Sequence, residues 1–191
     1  MVAFILEDPV EDVNLDLIEY TFFESQTGII SIVLKNKSVI SLDIRPENTY
    51  ETKKRLSTLY PEGRQSDKPF RKIQLLLDRY LKGQNVEFDI DIDISGESPF
   101  TQKVLLELRK IPYGKLQSYL SIGKQLGYAK AARAIGQAVK RNPIPIIIPC
   151  HRVIREDGSL GGFSLGIEIK KRLLVLEGVF DDIKKTGLIK T

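Results

Sequence analysis

The sequence predicts an α+β fold in which a small N-terminal β-sheet domain with helices precedes a mostly helical C-terminal domain. Three observations predict it. Apolar residues alternate at period 2 over 30–44 and 86–94, the apolar period changes to 3.6 close to Gly96, and two short helical patterns follow one another between Ser118 and Lys140. A length of 191 residues suits one large domain or two small ones. The change of period places the boundary so that 1–97 and 98–180 form the two units, with a tail at 181–191.

Taken in order, Ile30, Ile32 and Leu34 lead through Lys35-Asn36-Lys37 to Ile40, Leu42 and Ile44, with polar residues between them. This predicts a hairpin with one buried face. Phe70, Ile73, Leu77 and Tyr80 recur at helical spacing before Gly83, a helix with a glycine stop. Val86, Phe88, Ile90, Ile92 and Ile94 then alternate with Glu87, Asp89, Asp91 and Asp93, which predicts a strand. A row of carboxylates can bind a divalent cation, although alternate carboxylates on one strand face are usually just solvated.

Ser98 as N-cap and Pro99 at the first helical position open a helix with Arg109 and Lys110 in its last turn. Ser118 caps a short helix that stops at Gly127. A second runs from about Ala129 to Lys140 before Asn142-Pro143, the pattern of a helix-turn-helix. Its apolar face is Ala131, Ile135, Ala138 and Val139; the other carries Arg133, Gly136, Gln137 and Lys140, so little bulk separates its backbone from a duplex. A plain helical hairpin with a basic rim accounts for the same residues.

The net charge of +4 conceals an asymmetry: residues 1–97 carry 12 Lys+Arg against 18 Asp+Glu, and 98–191 carry 17 against 7. The basic half is the candidate nucleic-acid surface, since phosphate neutralisation supplies most nonspecific affinity. No apolar run reaches the roughly 18 residues that would span a bilayer, and the opening MVAFILEDPVED turns acidic where a signal peptide has a basic region. The expectation is an intracellular, cytoplasmic protein without membrane contact. One cysteine and one histidine exclude an internal disulfide and a structural zinc site.

Those two residues, Cys150 and His151, are adjacent in a segment stiffened by Pro143, Pro145 and Pro149. The prolines present the thiol from a fixed extended turn. A lone cysteine is commonly a small hydrophobe, yet a thiol needs a base to act as a nucleophile near neutral pH, and His151 is the only imidazole. Adjacent extended side chains diverge, so the imidazole is expected to reach the sulfur through a water. Glu177, in the last turn of a helix that stops at Gly178, opposes the helix dipole unless it pairs with His151 in a triad. Asp157-Gly158 and Gly161-Gly162 mark turns returning over the thiol. With no phosphate-binding glycine loop, metal cluster or second cysteine, nucleotide chemistry, metal hydrolysis and thiol redox work lack parts; a thiolate attacking saturated carbon would form a thioether that nothing in the chain could break, and such a protein would act once.

The strings IPCHRVI, GSLGGFS, YGKLQSY, AARAIGQAVKRNP and LLVLEG, in this family's order and spacing over roughly 98–179, resemble the O6-alkylguanine-DNA alkyltransferases, the methylated-DNA–protein-cysteine methyltransferases. The resemblance implies a ribonuclease-H-like N-terminal domain and a cofactor-free, metal-free, monomeric DNA-repair protein. It would transfer an alkyl group from O6 of a flipped-out guanine in double-stranded DNA to Cys150; the resemblance leaves open whether O4-alkylthymine is accepted. It implies His151 as base, Glu177 as its orienting carboxylate, Tyr119 as a donor toward guanine N3, and Arg133 as the residue that enters the base stack. Ala132, Ala134 and Gly136 would face the minor groove, and Ser118 and Gln137 would be further DNA-binding residues. Asn142 would hold the turn before the cysteine, and the carbonyls of Cys150 and Val153 would receive the guanine amino group, with Ser164 near O6. Phe163 stands where some members have tyrosine, Gln137 and Arg141 where some have glycine, and Leu165 at a pocket-rim glycine position, which predicts slow reaction with O6-benzyl substrates. The rival readings are a DNA-binding regulator without chemistry and a cysteine hydrolase or acyltransferase.

Overall fold

The structure, a computed structural model, describes residues 16–179, so the acidic opening stretch and the tail 181–191 lie outside the described residues. Strands β1 (Ile18–Ser25), β2 (Gly28–Lys35) and β3 (Ser38–Arg45) form an antiparallel meander. After helix α1 (Thr49–Leu59), the short β4 (Arg64–Gln65) pairs parallel with β1, giving the order β3-β2-β1-β4. Asn36 and Lys37 turn the β2–β3 hairpin with φ of 50° and 71°, the left-handed pair that a two-residue loop requires.

The expected single buried face is corrected: β2 is buried on both. Ile30, Ile32 and Leu34 enter the main core, while Val33 joins Tyr20 and Leu56 in a second cluster under α1. That helix buries only Thr52 and Leu56, so its apolar stripe is thin. Its legible signal is the capping box of Asn48 and Glu51. On β3 the phase shifts as well: Leu34 pairs with Val39 and Val33 with Ser41, leaving Ile40 as the extra residue of a bulge. Val39, Leu42 and Ile44 therefore point into the main core, and Ile40 packs on the other cluster.

The strand expected at 86–94 is an extended segment with one bridge, Ile92 to Val39. Val39 N donates to Asp91 O at 2.9 Å and accepts through its carbonyl from Asp93 N at 2.8 Å. The ladder goes no further along β3, because Leu42 N is taken by Pro143 O at 2.9 Å. Two extended segments share the edge.

Helix α2 (Arg71–Leu81) follows a 3₁₀ turn at Lys68–Phe70 and buries Ile73, Leu77 and Tyr80. Helix α3 (Pro99–Leu108) starts at the expected Ser98 cap, which accepts from Thr101 N. It ends before Arg109, whose guanidinium instead donates to Phe88 O and Ile90 O. Strand β5 (Gln117–Ser118) runs into α4 (Tyr119–Gln125), where the Ser118 hydroxyl accepts from Ser121 N at 3.0 Å. Helix α5 (Ala132–Lys140) begins three residues later than expected, since Tyr128–Ala131 closes a turn of its own. Strand β6 (Val153–Ile154) pairs parallel with β5, and α6 (Ile167–Leu176) closes the described chain. One continuous apolar cluster runs from β2 and β3 through α2 and α3 to Leu173. Among the described residues no helix is long and apolar enough to cross a membrane.

Candidate active site

The approach to the thiol is strained and fully packed. Ile146 has φ of 73° and is 1% exposed. A β-branched residue in the left-handed region costs of order 1–3 kcal/mol, which only a surrounding core can hold. Asn142 fixes both sides of this kink: Oδ1 accepts from Ile144 N at 3.0 Å, and Nδ2 donates to Ile148 O at 2.8 Å. The same Nδ2 lies 2.9 Å from Cys150 Sγ, so the asparagine touches the sulfur as well as the turn. Cys150 opens a 3₁₀ turn, Cys150–Arg152, in place of the expected extended presentation, because Arg152 N closes back on Pro149 O at 3.0 Å.

Behind the sulfur stands Glu177, the C-capping residue of α6, buried together with His151. His151 Nε2 lies 2.8 Å from Glu177 Oε1. Arg152 places Nε 3.0 Å from Oε2 and Nη2 2.9 Å from Oε1, while its Nη1 donates to Ile111 O at 2.6 Å. Gly114 N donates to Oε2 at 3.1 Å, and Tyr80 Oη donates to Oε1 at 2.7 Å. A buried carboxylate is stable only when so many donors replace its water. Burial alone would raise the Glu177 pKa, but the bonds from His151 and Arg152 outweigh it and hold the group at about 2.

This arrangement sets the tautomer of the imidazole. An ionised Glu177 requires a donor, so Nε2 carries the proton and Nδ1 keeps its lone pair. Nδ1 is buried and has no hydrogen-bond partner among the described residues. Burial also lowers the His151 pKa, which keeps the ring neutral and able to accept a proton. The thiol is pushed up to about 11 by burial, against the hydrogen bond from Asn142 and the charge of Lys170. At rest the site therefore holds a neutral thiol with an unprotonated base as its chain neighbour.

Cys150 lines a pocket of about 630 Å³ with Tyr119, Ala132, Arg133, Gly136, Gln137, Phe163 and Ser164. The structure thus brings together residues that the sequence reading drew from four separate segments. Tyr119, the first residue of α4, keeps its hydroxyl protonated, its pKa raised by burial and by Cys150. Gly161 admits its ring: a Cβ at this position would lie 2.9 Å from Tyr119 Oη. Phe163 meets the His151 ring edge-on at 6.4 Å. Arg133 and Ala134 are exposed on α5; Ala134 and Val153 do not line the pocket. Val153 O instead accepts from Lys170 Nζ at 2.6 Å. The Ser118 hydroxyl, besides its capping role, donates to Glu156 at the pocket rim. Leu165 packs partly against the core beside Ser164. No group of three or more metal-ligating side chains occurs among the described residues.

Sequence reasoning missed Tyr80, Arg152 and Lys170. Tyr80 reads as an ordinary core position of an amphipathic helix, and nothing in its spacing reveals a partner 97 residues away. Arg152 does carry a signal, a cation beside Val153 and Ile154 that needs a buried partner, whereas Lys170 stands with Glu168, Lys171 and Arg172 in a charged run and carries none. Lys170 is fully buried, donates to Val153 O and Leu160 O, and is lowered to about 8 by that burial.

Comparison with known proteins gives one consistent result. A family model described as the DNA-binding domain of 6-O-methylguanine DNA methyltransferase matches residues 99–179. A methylated-DNA–protein-cysteine methyltransferase of Mycolicibacterium paratuberculosis is 37% identical over 161 residues, 84% of this chain and 93% of the relative. One from Archaeoglobus fulgidus is 44% identical over 127 residues, 63% of this chain and 82% of its own length. Among solved structures, the Mycobacterium tuberculosis OGT in complex with DNA superposes with a TM-score of 0.71 at 33% identity, over 83% of this chain and 92% of that one.

Proposed function

The chain belongs to the family of methylated-DNA–protein-cysteine methyltransferases, and from that premise we propose which of its atoms perform the transfer. It is a DNA-repair protein that moves a methyl or alkyl group from O6 of guanine in double-stranded DNA to a cysteine of its own, irreversibly and once per molecule. Cys150 is the acceptor, since the chain has no other cysteine.

The damaged guanine is rotated out of the duplex into the pocket at Cys150, because its O6 cannot be approached in line within the stack. Helices α4 and α5 act as a helix-turn-helix, with α5 in the minor groove. The small side chains of Ala132, Ala134 and Gly136 let its backbone approach closely, and Gln137 and Ser118 stand at the edge. Arg133 enters the space the base vacates. The His151 lone pair at Nδ1 takes the thiol proton through a water, and the resulting imidazolium is stabilised by Glu177. The sulfur attacks the alkyl carbon, the carbon–O6 bond breaks, and the electron pair leaves with the base. The Tyr119 hydroxyl, donating toward N3, eases that departure. The Cys150 carbonyl holds the guanine amino group, while Val153 O stays with Lys170 outside the pocket; Ser164 stands near O6, Phe163 forms the apolar wall, and Asn142 holds the sulfur in line. The thioether that forms cannot be reversed by any group in the site.

The N-terminal sheet, with a meander, a helix and a strand parallel to β1, supports a ribonuclease-H-like reading of residues 1–97, with DNA binding and transfer in 98–180. We read the protein as a cytoplasmic monomer that needs no cofactor.

One observation carries the mechanism: Cys150, buried at 2% exposure, lines the pocket flanked by α5, while the imidazole next to it is held by Glu177. Mass spectrometry tests it. Incubation with duplex containing O6-methylguanine should add one methyl group to Cys150 and then stop, with none added to Cys150→Ala and slower addition to Arg133→Ala. Repeated turnover would indicate a hydrolase, and binding without a mass change a regulator.

A further inference from the structure

A second groove, of about 1080 Å³, lies between the β1–β2 turn, α2 and α6, and the transfer reaction gives it no part. Its floor is apolar, formed by Phe23, Leu81, Val175 and Leu176, and Val175 is 55% exposed. Lys171 and Arg172 stand on its α6 side, Glu24 at the end of β1, and Asp78 on α2, where Lys82 pairs with it at 2.7 Å. Arg172 makes no ion pair among the described residues, whereas Lys171 bonds only the exposed Glu168. A patch of this kind on a monomer marks a surface that something covers.

The end of α6 says what is at hand to cover it. Gly178 has φ of 74° and donates to Val175 O at 2.9 Å, and Val179 N donates to Leu174 O at 3.1 Å. This pair of bonds closes a helix by reversing the chain back over its last turn. The next residues, 180–191, read FDDIKKTGLIKT and lie beyond the family match, which ends at 179. Phe180 is four positions from Leu176, and twelve residues span up to about 40 Å, ample for the groove. The charges agree in order: Asp181 and Asp182 come first, where the groove is basic, and Lys184 and Lys185 follow toward Glu24, the lining carboxylate that has no ion pair among the described residues.

We propose that residues 180–191 dock in this groove, with Phe180 on the floor of Leu81, Val175 and Leu176 and with Asp181 and Asp182 facing Lys171 and Arg172. The seat ends at Leu176, next to Glu177, so the docked segment pins the end of the helix that carries the catalytic carboxylate.

A thermal double-mutant cycle on the full chain tests this. Phe180→Asp should lower the melting temperature by about 2–4 °C, as expected for losing about 1 kcal/mol in a chain of this size. Val175→Asp should do the same, and the double variant should fall no further than either alone, because both remove one contact. Arg172→Asp should be rescued by Asp181→Arg. A Phe180→Asp protein that melts like the parent, shifts that simply add, or a charge swap without rescue would overturn the proposal. Destabilisation by Val175→Asp with Phe180→Asp silent would assign the groove to another occupant, such as the N-terminal stretch or a second copy.

Discussion

Tyr80 and Glu177 are joined by a 2.7 Å hydrogen bond across 97 positions of sequence, and the same hydroxyl lies 3.1 Å from His151 Nε2. Burial and the neighbouring Glu177 raise the Tyr80 pKa well above its ordinary value, so the phenol keeps its proton and donates. Tyr80→Phe removes this donor while preserving the ring. The single-turnover rate on O6-methylguanine duplex should drop by about 3- to 10-fold, with a loss of about 1 kcal/mol in stability, the usual worth of one buried hydrogen bond. An unchanged rate would reduce Tyr80 to a packing residue.

Stability should fall in acid for a definite reason. Glu177 sits at about 2 in the folded protein against 4.5 for a free glutamate, so the unfolded chain binds more protons over this interval. Its contribution is complete above the unfolded value and is lost as pH falls from about 5 toward 2. His151, lowered by burial, acts in the same direction below 6.5. Urea midpoints at pH 7, 5 and 3 should show Glu177→Gln less stable than the parent at pH 7, by roughly 3–5 kcal/mol for a broken buried pair. The gap should narrow as the pH drops; a constant gap would contradict the assignment.

Gly161 tests the placement of Tyr119. With φ of 66° and a would-be Cβ only 2.9 Å from Tyr119 Oη, alanine here strains the backbone and displaces the hydroxyl. Gly161→Ala should slow transfer at least tenfold, while a small thiol reagent still modifies Cys150 at an undiminished rate.

Lys170→Met keeps the apolar stem but removes both donors that tie Val153 O and Leu160 O to α6. It also removes the cation that lowers the thiol pKa. The transfer rate should fall about tenfold, and the pH at which Cys150 becomes reactive should move upward. A merely structural lysine would change the rate without moving that profile.

What could be read in advance follows the range of the forces involved. Caps are local, and Ser98, Ser118 and Gly127 appear where their residue types indicate. The triad partner Glu177 is legible because a carboxylate at a helix C-terminus is unfavourable without a partner. Three features were not legible. The bulge at Ile40 arises from pairing with β2, α1 buries too little to imprint a period, and Tyr80 acquires its role only when α2 is laid against the Cys150–Arg152 turn. Only the last depends on a segment remote in the chain.

The bond from Tyr80 bears on how this protein can be divided. The family match begins at 99, so a phenol from outside the matched stretch completes the polar cluster inside it. Tyr113 extends the seam, its Oη donating to Gly83 O at 3.0 Å and to Leu176 O at 2.7 Å. Recombination that exchanged the N-terminal half for an unrelated module would leave Glu177 short of one donor and Tyr113 short of one acceptor. Grafting the C-terminal half onto a new partner therefore requires carrying a substitute for residue 80.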